Sequence, residues 1–207
     1  MDSEELWRAA LHDFNNLMAG LQGVLDLSEP GQPMDPRNRM RLGSVLDDGK
    51  SLIDMARALA LGRLPAGGVA SWAEWEAGLR RRLDPMADLF RCRVEVVDAG
   101  ARHSLWPEPM LQDWVAVFTR QILPWAVPGP LIVEAEARPD VWVLRWITDA
   151  PMPPALRTDP PPDAPKNLAS FWLRSMAGHM DLRLEPLAGC LQVQAPRPPT
   201  DPDHLVP

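Results

Sequence analysis

Leu11-His12-Asp13-Phe14-Asn15-Asn16-Leu17 sets a histidine, an acid and two amides into an otherwise apolar stretch. Around it, apolar residues recur at Trp7, Leu11, Phe14, Met18, Leu21 and Leu25. The steps alternate four and three, the heptad spacing that keeps one helix face against a partner helix. Leu17 and Val24 widen the seam into the stripe of a bundle. Asp2 or Ser3 can cap this helix, and Glu4 and Glu5 suit the positive end of its dipole. Ser28-Glu29-Pro30-Gly31 should end it, because proline cannot continue a helix and glycine frees the turn.

Working outward, Asp35-Pro36 opens a second helix, with aspartate as cap and proline in the first helical position. Its stripe runs Leu42, Val45, Leu46, Gly49, Leu52, Ile53, Ala56, Leu59 and Ala60. It ends near Gly62, and Pro65-Ala66-Gly67-Gly68 reads as a linker. Two helices with a short connection form an antiparallel hairpin. A lone hairpin cannot bury two wide apolar faces, whereas two hairpins packed as a four-helix bundle can. The expectation is a homodimer through residues 1–64. Gly20 and Gly23 cost helix stability relative to alanine, so they point to close approach of another backbone, inside the bundle or from a docked partner.

Composition narrows the classes. The 207 residues carry a net charge of −7, which disfavours nucleic acid as a partner, because that affinity rests on clustered Lys and Arg. The basic run Arg80-Arg81-Arg82 lies on a helical pattern and reads as a solvated face. Cys92 and Cys190 stand far apart without ligand spacing and read as small buried hydrophobes in a reducing compartment. There is no secretory pattern and no apolar run of about 18 residues. The expectation is a cytoplasmic protein with no membrane partner. Most of the 24 prolines fall after position 84, separating a proline-poor rod from a proline-punctuated second half.

In that half, Ser71-Trp72-Ala73-Glu74 is a capping box opening a helix to about Phe90. Arg91 to Val97 alternates as a strand. Pro109 to Leu123 is helical. Strands follow at Leu131–Ala137 and Val141–Ile147, then a loop over 149–165 of which about half is proline or aspartate. A helix spans about Asn167 to Gly178, and strands at Asp181–Glu185 and Leu191–Gln194 form a hairpin around Leu187-Ala188-Gly189. This order suggests an α+β sandwich, a mixed sheet with helices on one face, over residues 69–196. A proline-rich tail follows, 197–207.

A helical hairpin beginning His12-Asp13-Phe14-Asn15-Asn16 and followed by this element order resembles the core of sensor histidine kinases over roughly residues 4–195. In that family a dimerisation and phosphotransfer hairpin precedes an ATP-binding sandwich. The second half departs from the kinase pattern. By pattern, Gln121 stands where a kinase has its metal-binding asparagine, with Leu123-Pro124-Trp125 after it. Asp149 stands at the adenine-reading aspartate, but Ala150-Pro151-Met152-Pro153-Pro154 follows without glycine. Pro165-Lys166-Asn167-Leu168-Ala169-Ser170 replaces the second glycine-rich segment. Glycines let backbone amides approach phosphates, so ATP binding is not expected, and Asp149 reads as a loop residue or vestige. A dimeric hairpin with a degenerate ATP domain is similar to the histidine phosphotransferases of the ChpT type.

That resemblance implies a role for each residue of the opening stretch. Histidine suits reversible phosphoryl transfer, because its neutral imidazole is a nucleophile and the phosphoramidate is labile. His12 would carry the phosphoryl group. Asp13 would orient the imidazole or accept its proton. Asn16, one turn on along the same face, would position water for dephosphorylating the partner. Partner docking would use Asn15, Leu17, Met18 and Gly20. The partners implied are response-regulator receiver domains and the receiver of a hybrid kinase. No cofactor is expected on this chain; Mg2+ would belong to the receiver. The alternatives are a non-catalytic dimeric adaptor that binds response regulators, and a residual histidine kinase or phosphatase. His103, His179 and His204 read as strand edge, helix end and tail.

Overall fold

The computed structural model describes residues 3–27, 33–61, 68–126, 129–150, 167–187 and 189–197. Two compact units divide the chain. One takes in Met1–Pro65 and Ala164–Ser175, the other Ala66–Asp163 and Met176–Pro207. The loop expected over 149–165, from Pro151 on, and the tail after Arg197 lie outside the described residues, as do the stop at Ser28–Gly31 and the linker over 65–67.

In the first unit, helices α1 (Ser3–Asp26) and α2 (Pro36–Leu61) form the hairpin. Asp35 caps α2 as expected: its Oδ1 accepts from the Arg37 amide at 2.8 Å, and Pro36 takes the first helical position. Asn38 reaches back to donate to the Leu27 carbonyl at 3.2 Å, satisfying a group beyond the end of α1. Small residues bring the helices close. A Cβ placed on Gly20 would lie 3.5 Å from the Val45 side chain, and one on Gly49 would lie 3.2 Å from Leu17. Ala9, Ala10, Val24 and Met55 are buried. The heptad seam is not. Trp7, Leu11, Phe14, Met18 and Leu25 are exposed, and so are Met40, Leu46 and Ile53 on α2. The apolar stripe thus splits in two: Leu17, Gly20 and Val24 serve the hairpin, while the seam lies open.

The second unit is built on a five-stranded sheet ordered β2-β4-β5-β7-β6. Its strands are β2 (Val94–Asp98), β4 (Leu131–Ala137), β5 (Val141–Ile147), β6 (Arg183–Leu187) and β7 (Cys190–Pro196). Only the β2–β4 pairing is parallel. Helices α3 (Trp72–Phe90) and α4 (Met110–Ala126) accompany the sheet, and a fifth, α5 (Leu168–His179), precedes β6. The capping box at Ser71 is fully formed, with Glu74 bonded back to the Ser71 backbone. Three features escaped the sequence pattern. Gly68–Ser71, partly read as linker, is strand β1, and Leu105–Glu108 is strand β3, the two pairing antiparallel. Each is four residues long and too short to show alternation. Helix α4 runs on through Pro124 to Ala126, because in its last turn proline forfeits a single backbone bond.

Tryptophans fill the core. Trp72, Trp75 and Trp106 cluster with ring centroids 4.9–5.6 Å apart, Trp72 stacked on Trp75 and Trp106 tilted against both. Trp114 and Phe118 of α4 meet Trp146 of β5, which fixes α4 to the sheet. Buried indole N–H groups need acceptors, and four find them: Trp75 donates to Pro107 O, Trp106 to Ala101 O, Trp142 to Leu105 O, and Trp146 to Thr119 Oγ1. The opposite face of the sheet carries a polar row across four strands. Glu134, Arg145, Gln192 and Glu185 stand in register and are hydrogen-bonded in that order. The arginine run on α3 also differs in part from expectation. Arg80 is half-buried, bonding Glu76 and the Val96 carbonyl, and Arg82 pairs with Asp113, so these cations tie α3 to its neighbours. Cys92 is buried, with its thiol against the Gly129 carbonyl, and Cys190 is half-buried. Among the described residues no helix is long and apolar enough to cross a membrane.

Two outcomes follow from this packing. A Cβ on Gly78 would overlap the Gln112 side-chain amide, which is buried and donates to the Trp75 carbonyl at 2.8 Å. Gly78→Ala should therefore lower unfolding stability by about 1–3 kcal/mol, and Gln112→Ala should relieve part of that loss in a double-mutant cycle read by urea denaturation. The second concerns acid. Hydrogen bonding from Arg138, reinforced by Arg145, outweighs burial and holds the Glu136 carboxyl at about 2 against an ordinary 4.5. A depressed folded value means that the stabilisation is fully present above pH 4.5 and is lost as pH falls toward 2. Glu136→Gln should flatten the stability curve in that window.

Candidate functional site

His12 lies near the middle of α1, with its side chain 59% exposed, while the neighbouring Asp13 side chain is only 12% exposed. A carboxylate that sheltered must be paired, and both its oxygens are. Asp13 Oδ1 lies 3.1 Å from His12 Nδ1, and Oδ2 accepts the Leu168 backbone N–H at 2.7 Å. Leu168 opens α5, and it falls in the same compact unit as the hairpin. Asn167 caps that helix: its Oδ1 accepts from the Ser170 amide at 2.8 Å and from the Ser170 hydroxyl at 2.7 Å. The Asn167 side chain therefore serves Ser170 and leaves the Leu168 amide to Asp13.

The pairing decides the imidazole tautomer. A carboxylate only accepts, so at 3.1 Å the His12 Nδ1 must carry the proton and donate it. The Asn16 amide nitrogen lies 3.3 Å from the same atom. Were Asn16 to donate there, the Nδ1 lone pair would face the Asp13 carboxylate. A charge-assisted bond is roughly twice as strong as a neutral one, so Asp13 wins. Asn16 then turns its amide oxygen toward Nδ1, an orientation heavy-atom positions alone do not distinguish. With Nδ1 protonated, Nε2 holds the ring's basic lone pair.

His12, Asp13 and Asn16 thus form one cluster. Of the residues assigned to docking, Asn15 and Met18 are exposed, whereas Leu17 packs on Gly49 and Gly20 faces Val45 inside the hairpin. The Leu168 amide was missed in the sequence, since its partner stands 155 residues away and nothing local marks it. At the positions matched to the kinase nucleotide site, Gln121 is half-buried on α4 and Asp149 is exposed after β5. His103 sits in the turn before β3 rather than at a strand edge, and His179 ends α5. Among the described residues no three His, Cys, Asp or Glu side chains converge to hold a metal.

Known structures share this architecture. The histidine kinase AdeS of Acinetobacter baumannii superposes with a TM-score of 0.60 at 12% identity, covering 89% of this chain and 94% of that one. A bacterial phosphotransferase matches with a TM-score of 0.51 at 16% identity, over 94% of this chain and 97% of its own. The catalytic domain of the histidine kinase ThkA matches with a TM-score of 0.52 at 9% identity, over 65% of this chain and 99% of that domain. The fold is that of a histidine kinase core. No protein-family model matches the sequence, and no curated protein matches it. In this kinase-type fold the cluster on α1 sits on a helical hairpin ahead of an α/β sandwich.

The environments of the two neighbours predict opposite responses to substitution. His12→Gln on an exposed position should change unfolding stability by no more than about 0.5 kcal/mol. Asp13→Ala should cost about 1–2 kcal/mol, the loss of a cap that leaves the Leu168 N–H unpaired. Thermal and urea unfolding of the two variants checks the contrast.

Proposed function

We propose that this chain is a histidine phosphotransferase of a two-component phosphorelay, of the ChpT type, which passes a phosphoryl group between receiver-domain aspartates through His12 and does not use ATP. The observation that carries this reading is the contact at His12: an exposed imidazole whose Nδ1 lies 3.1 Å from the Asp13 carboxylate, so that Nδ1–H donates to Asp13 and Nε2 keeps the lone pair for nucleophilic attack. Nε2 attacks the phosphorus of an aspartyl phosphate on the partner. The N–P bond forms as the P–O bond to the partner's carboxylate breaks, and the carboxylate leaves as an anion. The imidazole would then bear positive charge, which Asp13 stabilises through the Nδ1 proton. The reverse sequence passes the group on. Magnesium at the partner's aspartyl phosphate supplies charge neutralisation there; the roles of His12, Asp13 and Asn16 need no metal or cofactor on this chain.

The sequence of the second half supports the exclusion of ATP, since the segments after Asp149 and before Leu168 lack the glycines that cradle phosphates. In this reading residues 1–64 are the dimerisation and phosphotransfer hairpin and 69–196 a degenerate ATP-binding-like domain. The open seam at Trp7, Leu11, Phe14, Met18 and Leu25 supports a homodimeric four-helix bundle, because contiguous exposed apolar surface of this kind marks an interface. Receiver domains of a response regulator and of a hybrid kinase would dock along α1 beside His12. The acidic chain, net −7, is suited neither to nucleic acid nor to an anionic membrane surface, and we assign it to the cytoplasm with its receivers. Asn16, 3.3 Å from Nδ1, would orient a water for dephosphorylating a docked receiver.

A phosphorylated receiver domain should label the wild-type chain and fail to label His12→Gln. Labelling that survives the substitution removes the proposal, and binding without transfer favours a non-catalytic adaptor. Leu11→Glu with Met18→Glu should halve the mass measured by sedimentation equilibrium, since two charges at the seam cannot be buried unpaired.

A further inference from the structure

We infer that the first turn of α5 is a positioning element for His12, acting through Asp13: the Leu168 amide holds the carboxylate so that it selects the imidazole tautomer. The inference rests on His12 as the nucleophile and goes beyond it, by naming what aims the residue beside it.

Asp13 Oδ2 accepts the Leu168 N–H at 2.7 Å while Oδ1 lies 3.1 Å from His12 Nδ1. A backbone N–H at a helix start can only donate, and its position is fixed by the helix. It therefore pins one oxygen of Asp13 and, through the rigid carboxylate, aims the other at the ring. The Asn167 side chain is committed to Ser170, so it does not compete for the Leu168 amide. The Leu168 N–H at the start of α5 can be met only by an acceptor oxygen, which orients the carboxylate toward both partners. Residue 168 is thus no catalytic residue, since it meets no reacting atom. It is a remote brace, 155 positions along the chain, which makes the reactivity of His12 depend on where α5 begins.

The brace makes a prediction that simple proximity of Asp13 does not. In Asp13→Asn the amide oxygen must face the Leu168 N–H, so the NH2 must face His12 Nδ1. That inverts the ring to the Nε2–H tautomer and removes the nucleophilic lone pair. Leu168 is also a position where the donor can be deleted selectively. Proline is favoured in the first turn of a helix, so Leu168→Pro removes the N–H at modest cost to α5. The buried Leu side chain is lost as well, and Leu168→Ala, which keeps the N–H, controls for that.

The test is 15N NMR of the His12 ring in the full-length, unphosphorylated protein, which reads the two nitrogens separately. Wild type and Leu168→Ala should show the Nδ1–H tautomer, Leu168→Pro a mixture, Asp13→Asn the Nε2–H tautomer, and the double variant Asp13→Asn/Leu168→Pro a mixture. Transfer from a phosphorylated receiver should slow about tenfold or more in Leu168→Pro relative to Leu168→Ala. A wild-type tautomer in folded Leu168→Pro, or Nδ1–H in Asp13→Asn, overturns the inference; should the proline variant fail to fold, Asp13→Asn decides alone. The two readings fail separately. An unlabelled wild type with this tautomer pattern refutes phosphotransfer and leaves the brace standing, whereas normal transfer with tautomers indifferent to Leu168 does the reverse.

Discussion

One carboxylate joins the parts on which the site depends. Asp13 is sheltered on a helix whose neighbouring histidine is exposed, and it has two partners of different kinds: an imidazole N–H and a backbone amide at the start of another helix. Each explains the other. The amide makes it affordable for a charge to sit out of water, and the charge in turn dictates which ring nitrogen is protonated. An asparagine in its place could satisfy the amide but would reverse the ring. The acid after the histidine is thus required by electrostatics as well as by geometry.

The two halves of the chain differ in what is left unsatisfied. The sandwich closes on itself: four of its buried indoles donate to acceptors within it, and its outer sheet face is tied by the Glu134–Arg145–Gln192–Glu185 row. The hairpin does not. Small residues at Gly20 and Gly49 let its two helices approach, which uses one apolar stripe and leaves a second on the surface. Burying side chains of that size contributes about 1.5–3 kcal/mol each, set against the freedom lost on association. A second hairpin would cover the seam beside His12 and put two such sites on one particle.

Much of the fold was legible in residue order. The seam spacing gave α1, Asp35-Pro36 marked the start of α2, Ser71 and Glu74 announced α3, and strands β4 and β5 fell at the expected Leu131–Ala137 and Val141–Ile147. Periodicity did not tell which part of the α1 stripe faces α2, because a helix with two apolar faces offers the same pattern to either neighbour. Strands β1 and β3 were hidden because four residues give no period, and Gly68 read as linker. At the site, the spacing of His12, Asp13 and Asn16 on one helix placed the three side chains together, and the structure has them within hydrogen-bond distance. The Leu168 amide was not legible, since a backbone donor has no sequence signature and its partner lies far away in the chain. Arg81 and Arg82 are exposed as the run suggested, but Arg80 was misread for a related reason: its acceptor, the Val96 carbonyl, comes from a strand that the local run cannot reveal.

The claim that Asp13 makes Nε2 of His12 the phosphoryl acceptor, with no nucleotide, is tested most directly by locating the bond. The protein is loaded from an acetyl-phosphate-charged receiver in nucleotide-free buffer, and the product is read by 31P–1H NMR and by peptide mass spectrometry. The account predicts a single acid-labile, alkali-stable phosphohistidine at residue 12, attached through Nε2. Phosphate on Nδ1, on another residue, or only after addition of ATP would contradict it.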